Sequence, residues 1–192
     1  MSSALQSKYA PIKDDSHPSL FYHFFDDEDA MVAGGPAFAL SFLDDRPWDG
    51  ISDPTILGWL PALSSEAAGT EYGGSGLNDF HENEDFLLIL HAVVKEALPE
   101  DEVWTSGAIQ TQSGWMHIFG TSAPSCCYQR NPPPLGRIPD PDDIIASVRV
   151  EDGRMLTETY QPMPSYRLCT TNGVCQLTDT LMDRLKKQLK RI

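Results

Sequence analysis

The sequence predicts one α+β domain in which a curved antiparallel sheet, built from about three hairpins, is covered by helices. Three observations predict it: alternating apolar residues before two tight-turn dipeptides, a wide apolar stripe over residues 80–98, and a leucine stripe over residues 179–191. A sheet with one apolar face must bury that face against another element. We therefore expect a central helix at about 80–98 and a C-terminal helix at about 179–191, the latter packed on the sheet.

Two hairpins are predicted in the last third of the chain. Apolar residues alternate through residues 144–150 up to Asp152-Gly153, and a second alternation runs through residues 166–171 up to Asn172-Gly173. Asp-Gly and Asn-Gly are strong hairpin signals, because a type I′ turn needs a positive φ at both central positions. Each pair of segments is therefore expected to form two antiparallel strands.

A third hairpin is predicted around a turn at Ser113-Gly114, with strands at residues 108–112 and 115–119. Side chains alternate between the two faces of a strand. Alternation therefore places Trp115, His117 and Phe119 together on one face of the second strand.

The helices are predicted from their apolar stripes and end signals. In the central helix, Asp79 and Glu82 have the spacing of a capping box, and a proline closes the far end. A short helix is also predicted over residues 54–63, with Asp53 as its cap. The C-terminal helix carries Leu181, Leu185 and Leu189 on one stripe, which predicts that these three side chains are buried.

Size and charge limit the classes of function. The chain has 192 residues and a net charge of −14, with 41% hydrophobic and 22% charged residues. Residues 1–101 hold 19 acidic and 4 basic residues, a balance of −15, and residues 102–192 hold 9 and 10, a balance of +1. The polar residues 1–19 predict an N-terminal arm, and the length of the remaining chain suits a single domain over 20–192. So acidic a chain is not expected to bind nucleic acid or an anionic membrane, because phosphate contacts need Lys and Arg.

The first residues lack the pattern of a secretory signal, and the longest strongly apolar run, residues 86–90, is too short to span a bilayer. We therefore predict a cytoplasmic protein without membrane contact. No cofactor is expected, because the Gly-rich residues 73–76 lack the Lys and Ser/Thr of a phosphate loop. No metal is expected either, because the acidic run at residues 26–29 lacks the alternate ligands and central Gly of a calcium loop.

The four cysteines are predicted to be free thiols. Cys126 and Cys127 are adjacent, a spacing that fits neither a zinc site nor a redox pair. A two-residue turn at Asn172-Gly173 would pair Cys169 with Gln176. The side chains of Cys169 and Cys175 would then point to opposite faces, and no disulfide could join them.

The candidate site is the aromatic face of the third hairpin. His117, flanked by Trp115 and Phe119, is the best candidate for a general acid or base, because burial and neighbouring groups can tune an imidazole. The alternative is a structural histidine that hydrogen-bonds a neighbouring loop. A Pro-rich loop over residues 121–140 is expected to form a roof. The further ligand-binding residues predicted from the loop and the hairpins are Arg130, Arg137, Tyr160 and Tyr166.

Three functions are consistent with these features. The first is a pocket protein that binds an apolar or aromatic small molecule in a cavity lined by the aromatic face. The second is a cavity-type enzyme, an isomerase, cyclase or lyase, that uses His117 as general acid or base. The third is an acidic protein–protein interaction module whose front half meets a basic protein partner.

Overall fold

The computed structural model describes residues 10–26, 35–62, 79–120, 140–170 and 173–192. By its internal contacts the chain divides into two compact units, Met1–Leu88 with Leu189–Ile192, and Ile89–Gln188. Each unit is described below by itself. The Gly-rich stretch at 73–76, the acidic residues 27–29 and most of the Pro-rich loop lie outside the described residues.

The predicted α+β class is confirmed. The described residues hold antiparallel sheets of five, three and two strands, together with three α-helices that include the central and the C-terminal one. The helices are α1 (Glu84–Ala97), α2 (Glu102–Thr111) and α3 (Asp179–Leu189).

The first unit contains the five-stranded sheet, in the order β1-β2-β3-β4-β5. Its strands are β1 (Ile12–Lys13), β2 (Phe21–Phe25), β3 (Ala37–Ser41), β4 (Ile56–Pro61) and β5 (His81–Glu82). One buried cluster in this unit contains Phe25, Ala37, Ala39, Ile51 and Ile56, with Trp59 packed against it. The aromatic run at residues 21–25 is thus an inner strand, and strand β1 pairs with it from the predicted N-terminal arm.

The predicted short helix over residues 54–63 is wrong, because most of this segment is strand β4. Ile56 to Pro61 pair with β3 on one side, and Gly58 and Trp59 pair with β5 on the other. The Asp53 carboxylate does accept a hydrogen bond from the Thr55 N–H at 2.8 Å, as a cap would, but it closes a turn instead. A short helix would leave its first N–H groups and its last four C=O groups without partners in the helix, whereas strand β4 has a hydrogen-bonded neighbour on each side.

Gly58→Ala is expected to lower the free energy of unfolding by about 1–3 kcal/mol. The chain at residues 80–81 lies so close to this glycine that a side chain cannot fit there. A Cβ on Gly58 would lie 2.3 Å from the backbone oxygen of His81 and 2.6 Å from the Phe80 ring. Urea unfolding of the wild type and of Gly58→Ala would measure the change. The matched control is Gly107→Ala, where a Cβ meets only Met116 Sδ at 3.4 Å and a helical Ala is favoured. Equal stability of Gly58→Ala and wild type would contradict this close approach.

Helix α1 is the predicted central helix, but it begins four residues later than expected. Residues 81 and 82 form β5 instead, and Asn83 caps the helix by accepting a hydrogen bond from the Asp85 N–H at 3.1 Å. Most of the predicted apolar stripe is buried: Leu87 is half-buried, and the buried members are Phe86, Leu90, Val93, Val94, Ala97 and Leu98. A capping-box spacing at residues 79–82 could not reveal that residues 81–82 pair with β4.

The second unit contains a three-stranded sheet in the order β6-β7-β8, made of β6 (Gly114–Phe119), β7 (Ile144–Glu151) and β8 (Arg154–Pro162). The predicted hairpin of β7 and β8 is confirmed, with Glu151 paired to Arg154. Its turn residues Asp152 and Gly153 have φ of 50° and 71°, as a type I′ turn requires.

The predicted strand over residues 108–112 is wrong, because all but the last of these residues belong to helix α2. The Asp101 carboxylate caps this helix, accepting hydrogen bonds from the N–H groups of Val103 at 2.9 Å and Trp104 at 3.3 Å. The alternation over residues 108–112 covers only five residues, whereas the cap at Asp101 begins a helix that continues through residue 111. Strand β6 therefore pairs with β7 rather than with the segment that precedes it.

The second predicted hairpin exists, but with a different register. Strands β9 (Cys169–Thr170) and β10 (Gly173–Val174) pair Cys169 with Val174, not with Gln176. Thr170 pairs with Gly173, so the register predicted from a turn at Asn172-Gly173 is wrong. Cys169 and Cys175 are nevertheless free thiols. Cys126 and Cys127 lie outside the described residues.

The C-terminal helix α3 is where the leucine stripe predicted it. Leu181, Leu185 and Leu189 are buried, as expected, and so is Met182. Thr178 begins the helix, since its backbone oxygen accepts from the Met182 N–H at 2.9 Å and its hydroxyl from the Leu181 N–H at 3.4 Å. The apolar side of this helix is therefore buried in the folded protein.

Candidate functional site

His117 lies in the middle of strand β6, directly opposite Ser147 of β7. Its ring Nδ1 and the Ser147 hydroxyl are 2.9 Å apart, in hydrogen-bond contact. The ring is half-buried and Ser147 is 9% exposed. Because directly paired residues share a face of the sheet, the serine holds the imidazole in one orientation on that face.

Trp115 occupies the same face, two residues before His117, and is 51% exposed. It lies opposite Arg149, whose guanidinium forms an ion pair with Glu151 at 2.8 Å. The intervening Met116 and the following Ile118 are buried on the other face of the strand. Trp115, His117 and Arg149 therefore form a partly open surface, which we call the β6 face.

Phe119 does not join this surface. The ladder between β6 and β7 shifts its register here: Ile118 pairs with Ala146 and Phe119 with Ile144, which leaves Ile145 of β7 as the extra residue of a bulge. The Phe119 ring meets Trp104 edge-on, with ring centres 5.2 Å apart. Phe119 therefore packs against helix α2.

Tyr160 and Tyr166 are brought together around His91 of α1 rather than around His117. His91 Nδ1 and the Tyr160 hydroxyl are 2.9 Å apart, and the Tyr166 ring meets the His91 ring edge-on at 6.4 Å. The residue of β8 that pairs with Ser147 is Gln161, not Tyr160. These two tyrosines and the β6 face are thus separate groups.

Burial controls the protonation of the His91 group. It lowers the pKa of His91 and raises the pKa of Tyr160, so both side chains are neutral at neutral pH. The neutral imidazole and the neutral phenol are joined by this hydrogen bond. His91 itself is half-buried. Its partner Tyr160 lies 69 positions further along the chain, and no local pattern could reveal it.

Cys175 packs beside Tyr166 and is not a reactive thiol. Burial raises the pKa of Cys175 to about 12, against a smaller lowering by its hydrogen bond with Tyr166. A thiol in this state carries almost no thiolate at neutral pH. Gly120 passes directly over it: a Cβ there would lie 1.9 Å from Cys175 Sγ.

The remaining predicted residues, Arg130 and Arg137, lie outside the described residues, as does the loop expected to form the roof. In the part of the chain that the structure describes, no group of three His, Cys, Asp or Glu side chains is placed to hold a metal ion. No helix among the same residues has the length and apolarity needed to cross a membrane.

Comparison with known proteins supplies no relative: no family model, no curated protein and no solved structure matches the chain. The functional interpretation therefore depends on the side chains described above.

Proposed function

We propose that the protein binds a flat apolar or aromatic small molecule on the β6 face. The observation that carries the proposal is the half-exposed indole of Trp115 beside the fixed imidazole of His117. Ligand sites combine apolar and aromatic surface with a few polar groups in fixed positions, and this pair of side chains supplies both.

Stacking would give such a ligand its affinity. An exposed indole leaves apolar area in water. Covering it with a planar ring stabilises the complex by about 25 cal/mol for each Å² removed from solvent. Offset ring pairs add about 0.5–1.5 kcal/mol beyond that area. His117, oriented by Ser147, can form one hydrogen bond that selects the ligand's orientation, and Arg149 places a cation beside the indole.

Anilinonaphthalene sulfonate, a flat aromatic anion, tests the proposal. The full chain in its native state is expected to bind this probe, with fluorescence enhancement as the readout. Trp115→Ala is expected to weaken binding about tenfold or more, because the stacking surface is lost. The matched control is Trp48→Ala, which removes another exposed indole and should leave the probe's affinity unchanged.

Thermal melts of both variants would show that the native state is retained. Unchanged affinity in Trp115→Ala would overturn the proposal, and so would a wild-type protein that does not bind the probe.

The enzyme alternative uses the same surface, with His117 as general acid or base in an isomerase, cyclase or lyase. The hydrogen-bond partner of its Nδ1 is the Ser147 hydroxyl, whereas the histidine of a catalytic triad is oriented by a carboxylate. We therefore place binding before catalysis. Loss of turnover in His117→Ala with retained probe binding and an unchanged melting temperature would favour the enzyme.

A further inference from the structure

We infer that the loop over residues 44–50, in the first unit, is a docking surface for an arginine-rich segment of a protein partner. The loop carries Trp48, whose side chain is 98% exposed. Tryptophan is the residue most enriched at the energetic centres of protein interfaces, since its large ring gives much contact area for little lost conformational freedom. This inference concerns a different surface from the β6 face and does not depend on the ligand proposed there.

The backbone under Trp48 is held in place although its side chain is free. The Asp53 carboxylate accepts hydrogen bonds from the Trp48 N–H at 3.0 Å and the Asp49 N–H at 3.3 Å, and it is only 7% exposed. Burial alone would raise the pKa of Asp53, but hydrogen bonds from Thr55 and from these two amides lower it below its usual value. The carboxylate is therefore charged at neutral pH and stabilises the loop.

A second contact fixes the start of the loop. The Arg46 guanidinium lies over the Phe25 ring, 4.5 Å from its centre, and Phe25 belongs to the core of the sheet. Because these contacts hold the loop backbone on both sides of Trp48, the backbone at Trp48 would not have to rearrange when a partner binds. Little backbone entropy would be lost on binding, which is a condition for high affinity from a small surface.

Charge identifies the partner. Asp44, Asp45 and Asp49 surround Trp48 in sequence and are all exposed. Carboxylates around an exposed indole suit a guanidinium, which can stack on the ring face and form ion pairs at its edge. A nucleic acid or an anionic membrane would be repelled by the same carboxylates and by the balance of −15 over residues 1–101.

The test uses the full chain and a short peptide of alternating Arg and Gly. Titration followed by calorimetry is expected to show binding that weakens as salt is added. Trp48→Ala should reduce affinity about tenfold or more, because the stacking partner is lost. The double variant Asp44→Asn with Asp45→Asn should reduce both the affinity and its salt dependence.

Trp115→Ala is the control and should bind the peptide as the wild type does. Trp48 is 98% exposed, so Trp48→Ala removes almost no buried surface and is expected to keep the wild-type melting temperature. The inference is overturned if the wild type does not bind the peptide, or if Trp48→Ala and Trp115→Ala bind it equally well. Because the aromatic probe reports on the other surface, either proposal can fail without the other.

Discussion

Leu185→Ala is expected to lower the free energy of unfolding by about 2–5 kcal/mol, the range for removing a buried leucine side chain. Leu185 is 0% exposed and lies at the centre of the apolar stripe of α3, between Leu181 and Leu189. Truncation removes apolar contacts and leaves a cavity that a packed helix cannot close completely. Urea unfolding followed by far-UV circular dichroism would measure the loss.

The control for this prediction is Lys187→Ala, two residues further along the same helix at an exposed position. It should change stability by no more than about 0.5 kcal/mol. Deleting residues 178–192 should lower the melting temperature much further than either substitution. If the two point variants proved equally stable, α3 would not be the core element described above.

Asp101→Ala should cost about 2–4 kcal/mol, because one carboxylate serves the beginnings of two helices. Asp101 is 1% exposed and caps α2 through the N–H groups of Val103 and Trp104. Its other oxygen accepts a hydrogen bond from the hydroxyl of Thr178, the residue that begins α3. Loss of a cap costs about 0.5–2 kcal/mol, and the buried groups left without a partner add about 1–3 kcal/mol.

A double-mutant cycle separates these contributions. Asp101→Ala and Thr178→Ala should be coupled by about 0.5–3 kcal/mol, since they remove the same hydrogen bond. Glu102→Ala is the matched control: it removes an exposed carboxylate from the first turn of α2 and should cost well under half as much as Asp101→Ala. Additive losses in the cycle would mean that the two helix starts are independent.

The candidate site was only partly predictable. Trp115 and His117 share a face, as alternation along β6 predicts, and their exposure follows from their position opposite buried Met116 and Ile118. The contact of the Phe119 ring with Trp104 of α2 was not predicted, because the packing of a helix on the sheet brings these two residues together. The role of Trp48 as an exposed indole was not predicted either, since the sequence does not distinguish a buried from an exposed tryptophan in a loop.

The sequence by itself determined the features that depend on a few neighbouring residues. The Asp152-Gly153 turn, the buried stripe of α1 and the leucine stripe of α3 each follow from local backbone preference and side-chain period. Tertiary structure alone decided that residues 56–61 form a strand, because their backbone groups are satisfied by β3 and β5 from elsewhere in the chain. It also decided that Tyr160 meets His91. Contacts between residues distant in sequence depend on how the elements pack, and a short window of sequence contains no record of that packing.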